Sequence, residues 1–241
     1  MNTTLKVLSL LLTYPTAELL KGLPELKAAL REDGALGERE LKLVTRLADD
    51  IGKLDLYDAQ ERFVFLFDRT RTLSLHLFEH VHGESRDRGQ AMVDLMAMYE
   101  ADGFEIDARE LPDFLPMFLE YLANKPESEA RELLGQTVHI ITVLKQRLRK
   151  RDSVYVNAFV ALETIARGKP DAKLVRELLA LPEDDPNDLE ALDRIWEEEA
   201  VTFGGNAGEG ACGTDRIQRQ MRAHQRKPDD AQSGQHAVIG D

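Results

Sequence analysis

Apolar residues recur along most of the chain at intervals of three and four, the spacing that gathers them on one face of an α-helix. Leu5, Leu8 and Leu12 form one such stripe, ended by Tyr14-Pro15. Leu41, Val44, Leu47, Ala48 and Ile51 form a second. Phe63, Leu66 and Phe67 follow on a helix that Asp58 is placed to cap. Leu73 through Val81 is predicted as a further helical apolar segment, and Met92, Leu95, Met96 and Tyr99 as the face of the next. Leu115, Phe118, Leu119 and Leu122 predict a helix entered through Pro112. A long helix from Ser128 carries Leu134, Val138, Ile141, Leu144 and Leu148. Val156, Phe159, Val160 and Leu162 run up to Gly168-Lys169-Pro170, and Asp171 caps a short helix through Leu179. Leu189, Leu192, Ile195 and Trp196 give the last stripe.

No segment shows β-branched alternation bounded by turns, and the connections are short. The pattern predicts an all-α fold: a single-domain helical bundle over residues 1–203. From Gly204 the composition shifts to Gly, Gln, Ser, Asp and Arg with scattered apolar residues, which predicts a disordered tail over 204–241.

Composition narrows the function. With 241 residues, 43% of them hydrophobic, the chain can bury a sizeable core. No run approaches the roughly 20 apolar residues that span a bilayer. The N-terminal stretch has no basic region beyond Lys6 and no small-x-small cleavage site, so it is expected to be a core helix of a cytoplasmic protein. The single cysteine, Cys212, allows no intrachain disulfide and fits a reducing compartment. Net charge is −13, and residues 204–241 hold five acids and five bases, so the body carries all of it. Phosphate repulsion argues against nucleic acid as a partner. A basic or amphipathic partner is favoured instead.

Candidate chemistry concentrates in Glu79–Gly89, EHVHGESRDRG. Gly83 suits the left-handed position that ends a helix, with His80 and His82 in the preceding turn. Ser85 can cap the next helix and Asp87 suits its first turn. Arg86 and Arg88 are misplaced there, because the helix N-terminus repels cations, so they need the carboxylates of Glu79, Glu84 or Asp87. Gly89 would allow another backbone close. Three readings stand side by side: an ion-paired hinge between core helices, a zinc site, and a binding surface beside an apolar groove. The zinc reading rests on His76-x-x-Glu79-His80, which on a helix puts two histidines on one face as in a zinc-dependent hydrolase. The groove reading draws on Phe63, Phe65, Phe67 and Phe78, with Met92, Met96, Met98 and Met117 as adaptable lining.

FDRTRTLSLHLFEHVHGESRDRGQAMVDL, with ELPDFLPMFLEYL at 110–122 and IWEEEAV at 195–201, resembles the NarJ-type nitrate reductase assembly chaperones of the TorD/DmsD superfamily. The likeness spans about 5–203. It implies an all-α fold, no catalysis and no cofactor of the protein's own. It implies a cytoplasmic chaperone that binds the apo catalytic (alpha) subunit of respiratory nitrate reductase, including its N-terminal segment. That partner would be held competent for molybdenum cofactor insertion before docking at the membrane, with no stable membrane insertion of the chaperone itself. Carried onto this chain, the resemblance assigns partner binding to Phe67, Glu79, His80, His82, Gly83, Glu84, Arg86, Asp87, Arg88 and Gly89, with Leu111, Pro112 and Asp113. The chain departs from the family pattern at Phe114, where relatives often have histidine.

Overall fold

A computed structural model of the chain describes residues 1–82, 86–106 and 110–188, without the side chains of His82 and Arg86. The stripe through Leu189 and Trp196, the 203/204 boundary and the tail therefore lie outside the described residues.

Eleven helices form among the described residues, and no strand. Helix α1, Asn2–Leu11, buries Leu5, Leu8 and Leu11 completely. It packs on α2, Ala17–Asp33, and on α7, Leu115–Leu122. Nothing in the apolar pattern marks α2: its buried residues are only Leu23 and Leu30, and Pro24 lies inside it. Its ends are conventional, with the Thr16 side chain accepting from the Leu19 N–H and Gly34 closing it at φ 64°. Helix α3, Glu38–Ile51, buries the stripe Val44, Leu47, Ala48 and Ile51. Helix α4, Leu56–Phe67, is capped by Asp55, whose carboxylate accepts from the Asp58 N–H. The cap is three residues upstream of the expected Asp58, which sits in the first turn where the dipole also favours a carboxylate.

Two predicted helices are corrected. The segment from Leu73 to Val81 is not one helix: a single 3-10 turn at Arg71–Leu73 gives way to extended chain, and α5 is confined to Glu79–His82. The long helix from Ser128 is two, α8 at Glu127–Gln136 and α9 at Val138–Lys150. Thr137 breaks it, with both its amide (3.1 Å) and its hydroxyl (2.9 Å) donating to the Leu134 carbonyl. Gly135 sits at this break because a side chain has no room: a Cβ there would lie 2.0 Å from the Arg167 carbonyl oxygen. Helix α9 then packs on α10, Val156–Ile165, which also lies against α3. Helix α11, Ala172–Ala180, is capped by Asp171 as expected and covers α9. Helix α6, Arg86–Ala101, follows α5 and meets it. One apolar core joins most of these elements, while α11 packs Val175 and Leu178 on Val143 of α9 in a separate small cluster.

Candidate functional site

The site is built where the extended chain after the 3-10 turn meets the entry to α7. Leu73, Leu75 and Leu77 are all buried, and beyond the 3-10 turn Leu75 and Leu77 flank the part-exposed His76, the side-chain alternation of extended chain. Antiparallel bonding joins this segment to residues 113–115. The Leu77 amide donates to the Asp113 carbonyl (3.0 Å) and the Leu115 amide to the Leu75 carbonyl (2.8 Å), around a single His76–Phe114 bridge.

Asp113 is the hub of this elbow. It is fully buried, and its carboxylate accepts from the Phe78 amide (2.9 Å) and faces His76 Nδ1 at 3.2 Å. A buried carboxylate is tolerated only when its oxygens find such partners. Burial pushes the His76 imidazole down. The hydrogen bond and charge of Asp113, with the charges of Glu79 and Glu110, outweigh that and hold it above the usual histidine range. His80 behaves oppositely. Its ring is buried, its Nε2 lies 2.8 Å from the Ser74 carbonyl, and burial with the nearby Arg147 guanidinium pushes its titration down. A neutral ring donating from Nε2 to that carbonyl is the state this favours.

Two further contacts fasten the elbow. Arg88 on α6 pairs with Glu79 on α5 at 3.3 Å, both partly buried, so a cation in the first turn of α6 has the carboxylate it needs. The Tyr99 hydroxyl, at the other end of α6, donates to the Pro112 carbonyl (2.8 Å) while its ring packs on Tyr121 at 4.6 Å. Around this frame Leu111 (48% exposed) and Val81 (41%) leave apolar surface in solvent, beside the partly buried Phe78 and Phe114. The rim is acidic. Burial and the charge of Glu110 hold the Asp68 carboxyl above the usual range, with His76 pulling the other way.

The elbow thus brings Glu79, His80, Arg88, Pro112 and Asp113 into one bonded unit, with Leu111 exposed on it and Asp87 in the first turn of α6. Phe67 is not brought there. It is 3% exposed and sits in an aromatic core cluster, its ring 5.0 Å from both Phe63 and Tyr155. Gly89 has no close neighbour among the described residues: nothing lies within 4 Å of a Cβ built on it. Gly83, Glu84 and the side chains of His82 and Arg86 lie outside the described residues. Of the groove methionines, Met98 and Met117 pack against the core.

The zinc reading fails on geometry. His76 lies in extended chain and His80 in a four-residue helix, so the two do not share a helix face, and their rings are engaged by Asp113 and the Ser74 carbonyl. Among the described residues no three His, Cys, Asp or Glu side chains cluster as metal ligands. Sequence reasoning missed three residues of the frame: Ser74, Tyr99 as a tether, and His76 in any role but a ligand. The alternation Leu73, Leu75, Leu77 was the signal for the extended segment that orients them.

Residues 17–161 match the family model described as nitrate reductase delta subunit. The chain belongs to that family. It is 43% identical over 225 residues to the nitrate reductase molybdenum cofactor assembly chaperone NarJ of Escherichia coli K12, covering 92% of this chain and 91% of that one. It is 42% identical over 200 residues to the probable assembly chaperone NarW of the same organism, 83% of each chain. A probable NarJ of Bacillus subtilis is 32% identical over 169 residues, 67% of this chain and 89% of that one. Coverage of 92% cannot fit inside residues 1–203, so the likeness extends into the C-terminal segment, further than the residue signatures reach. The family is one of cofactor assembly chaperones, not of enzymes. Among the described residues no helix is long and apolar enough to cross a membrane.

Proposed function

We propose that this protein is a dedicated chaperone of respiratory nitrate reductase. It binds the apo catalytic (alpha) subunit in the cytoplasm, including its N-terminal segment, and keeps it competent for molybdenum cofactor insertion and membrane assembly. The observation that carries this reading is the 43% identity to an assembly chaperone over nearly the full length of both chains.

The elbow is the proposed partner surface. Exposed Leu111 and Val81 offer apolar contact, and the carboxylates of Asp68 and Glu110, beside the Glu79–Arg88 pair, suit a segment carrying cations. That combination fits an amphipathic basic peptide laid into a groove. His82, Gly83, Glu84, Arg86, Asp87, Arg88 and Gly89 complete the surface, with Asp113, His80 and Pro112 acting from behind by holding its shape. The helical body, proposed to run to residue 203, carries this surface without the 204–241 tail.

The test is nitrate reductase maturation in cells lacking the native chaperone, complemented by this chain. Restored nitrate reductase activity with cofactor-loaded catalytic subunit is expected. Failure of a well-expressed, folded chain to restore it, together with failure to co-purify with the apo subunit, would overturn the reading.

A further inference from the structure

The α2–α3 hairpin carries a second feature that the chaperone reading does not use. Glu38, Lys42, Thr45, Arg46 and Asp49 recur at helical spacing along one face of α3, and Lys53 follows in the turn just past its end. With Arg31 from the last turn of α2, and with Leu41, they line an open groove of about 520 Å³.

The charges in this groove are unevenly matched. Glu38 pairs with Lys42 at 2.7 Å, Asp49 with Lys27 at 2.5 Å and Asp50 with Arg62 at 2.5 Å. Every carboxylate lining the groove is therefore neutralised. Arg31, Arg46 and Lys53 have no such partner among the described residues, which leaves three uncompensated cations converging on one concavity. Elsewhere the chain is strongly acidic, at −13 overall.

We propose that this groove binds a soluble phosphate ester of nucleotide size. Two guanidiniums and one ammonium supply planar and point-charge donors to phosphate oxygens, and the Thr45 hydroxyl adds a neutral one. Leu41, half-buried beside them, offers apolar surface to the organic body of the ligand. The volume lies in the range of small-molecule sites. A membrane headgroup is a poorer fit, because the −13 body is repelled by an anionic bilayer while a small ligand reaches the local positive field.

The test uses the full chain, with calorimetry of ATP and of inorganic tripolyphosphate in the absence of divalent cations. Saturable binding of both is expected, tighter for ATP. Arg31→Gln, Arg46→Gln and Lys53→Gln are all at exposed positions, and each is expected to weaken binding about tenfold, the scale of one charge-assisted hydrogen bond. Circular dichroism of each variant is expected to match the parent. Absence of saturable phosphate binding overturns the proposal, as does a triple variant that binds as well as the parent. Binding to anionic vesicles or to polyglutamate without binding to either phosphate probe overturns it in favour of a surface or an acidic protein.

Discussion

The α9–α10 pair and the elbow at 74–82 and 110–115 each close around buried side chains, but different forces hold them. Between α9 and α10, Ile141, Leu144, Leu148, Phe159 and Leu162 are fully buried, and the polar contacts, Lys145 and Thr142 with Glu163, lie at the margin. The elbow instead turns on one buried carboxylate, two histidines and a few backbone bonds. Apolar packing is non-directional and tolerates swaps of similar volume. A buried polar network is directional, and losing one member strands the others. The bundle is therefore expected to absorb conservative change, and the elbow to respond to single atoms.

Asp113→Ala is expected to produce the largest effect in the elbow. It leaves the Phe78 amide without an acceptor and His76 without its counter-ion, a loss of about 3 kcal/mol, the lower end for a broken buried pair because His76 is a quarter exposed. Leu144→Ala is expected to cost about 2–5 kcal/mol through its cavity, but Leu144→Met under about 1.5 kcal/mol. Asp113→Asn has no such refuge: it keeps the shape and loses the charge, and is expected to cost about 1–3 kcal/mol. Denaturant unfolding measures all four. An Asp113→Asn variant as stable as the parent would erase the contrast between the two regions.

The two histidines sharpen it further, because their signs oppose. His76 titrates above its ordinary 6.5 in the folded chain. Its contribution is therefore complete below that value and is lost as pH rises through the folded one. His80 titrates below its ordinary value, so its contribution is present above 6.5 and is lost as pH falls through the folded one. Thermal melting between about pH 5 and 8 should show His80→Gln flattening the acid side and His76→Gln the alkaline side. Matching profiles for the two variants would mean that the elbow does not separate their environments.

The smallest expected effect is at Gly89. It sits within α6 with open space around it, so Gly89→Ala should stabilise by up to about 1 kcal/mol. If a partner's backbone approaches there, peptide affinity falls while the melting temperature rises. Unchanged affinity would take Gly89 out of the proposed surface.

These expectations also mark what the residue pattern revealed. Helices α1, α3, α10 and α11 were legible because each buries a regular stripe, and Asp171 could be named as a cap. Helix α2 was not, since two buried leucines seven apart and an internal proline make no stripe. The split at Thr137 was hidden because apolar spacing continues across it, and only the close approach of Arg167 to Gly135 reveals why the helix ends. In the site, Glu79 and Arg88 were visible as charges in need of partners, whereas Asp113 was named only through the family resemblance. Phe67 drew attention as an aromatic beside them and belongs to the core. The Asp113–His76 pair joins segments 37 residues apart, a link no local spacing can show.

The central claim, that the elbow receives the partner's N-terminal segment, is tested most directly by calorimetry of that synthetic peptide with the full chain and with Leu111→Ser. Leu111 is nearly half exposed, so its loss should leave the melting temperature unchanged. The parent is expected to bind, with affinity reduced but not abolished at high salt because apolar contacts survive screening. Leu111→Ser is expected to bind about tenfold more weakly, the scale of one buried leucine side chain. Peptide binding of equal strength to the parent and to Leu111→Ser, unaltered by salt, would contradict the account.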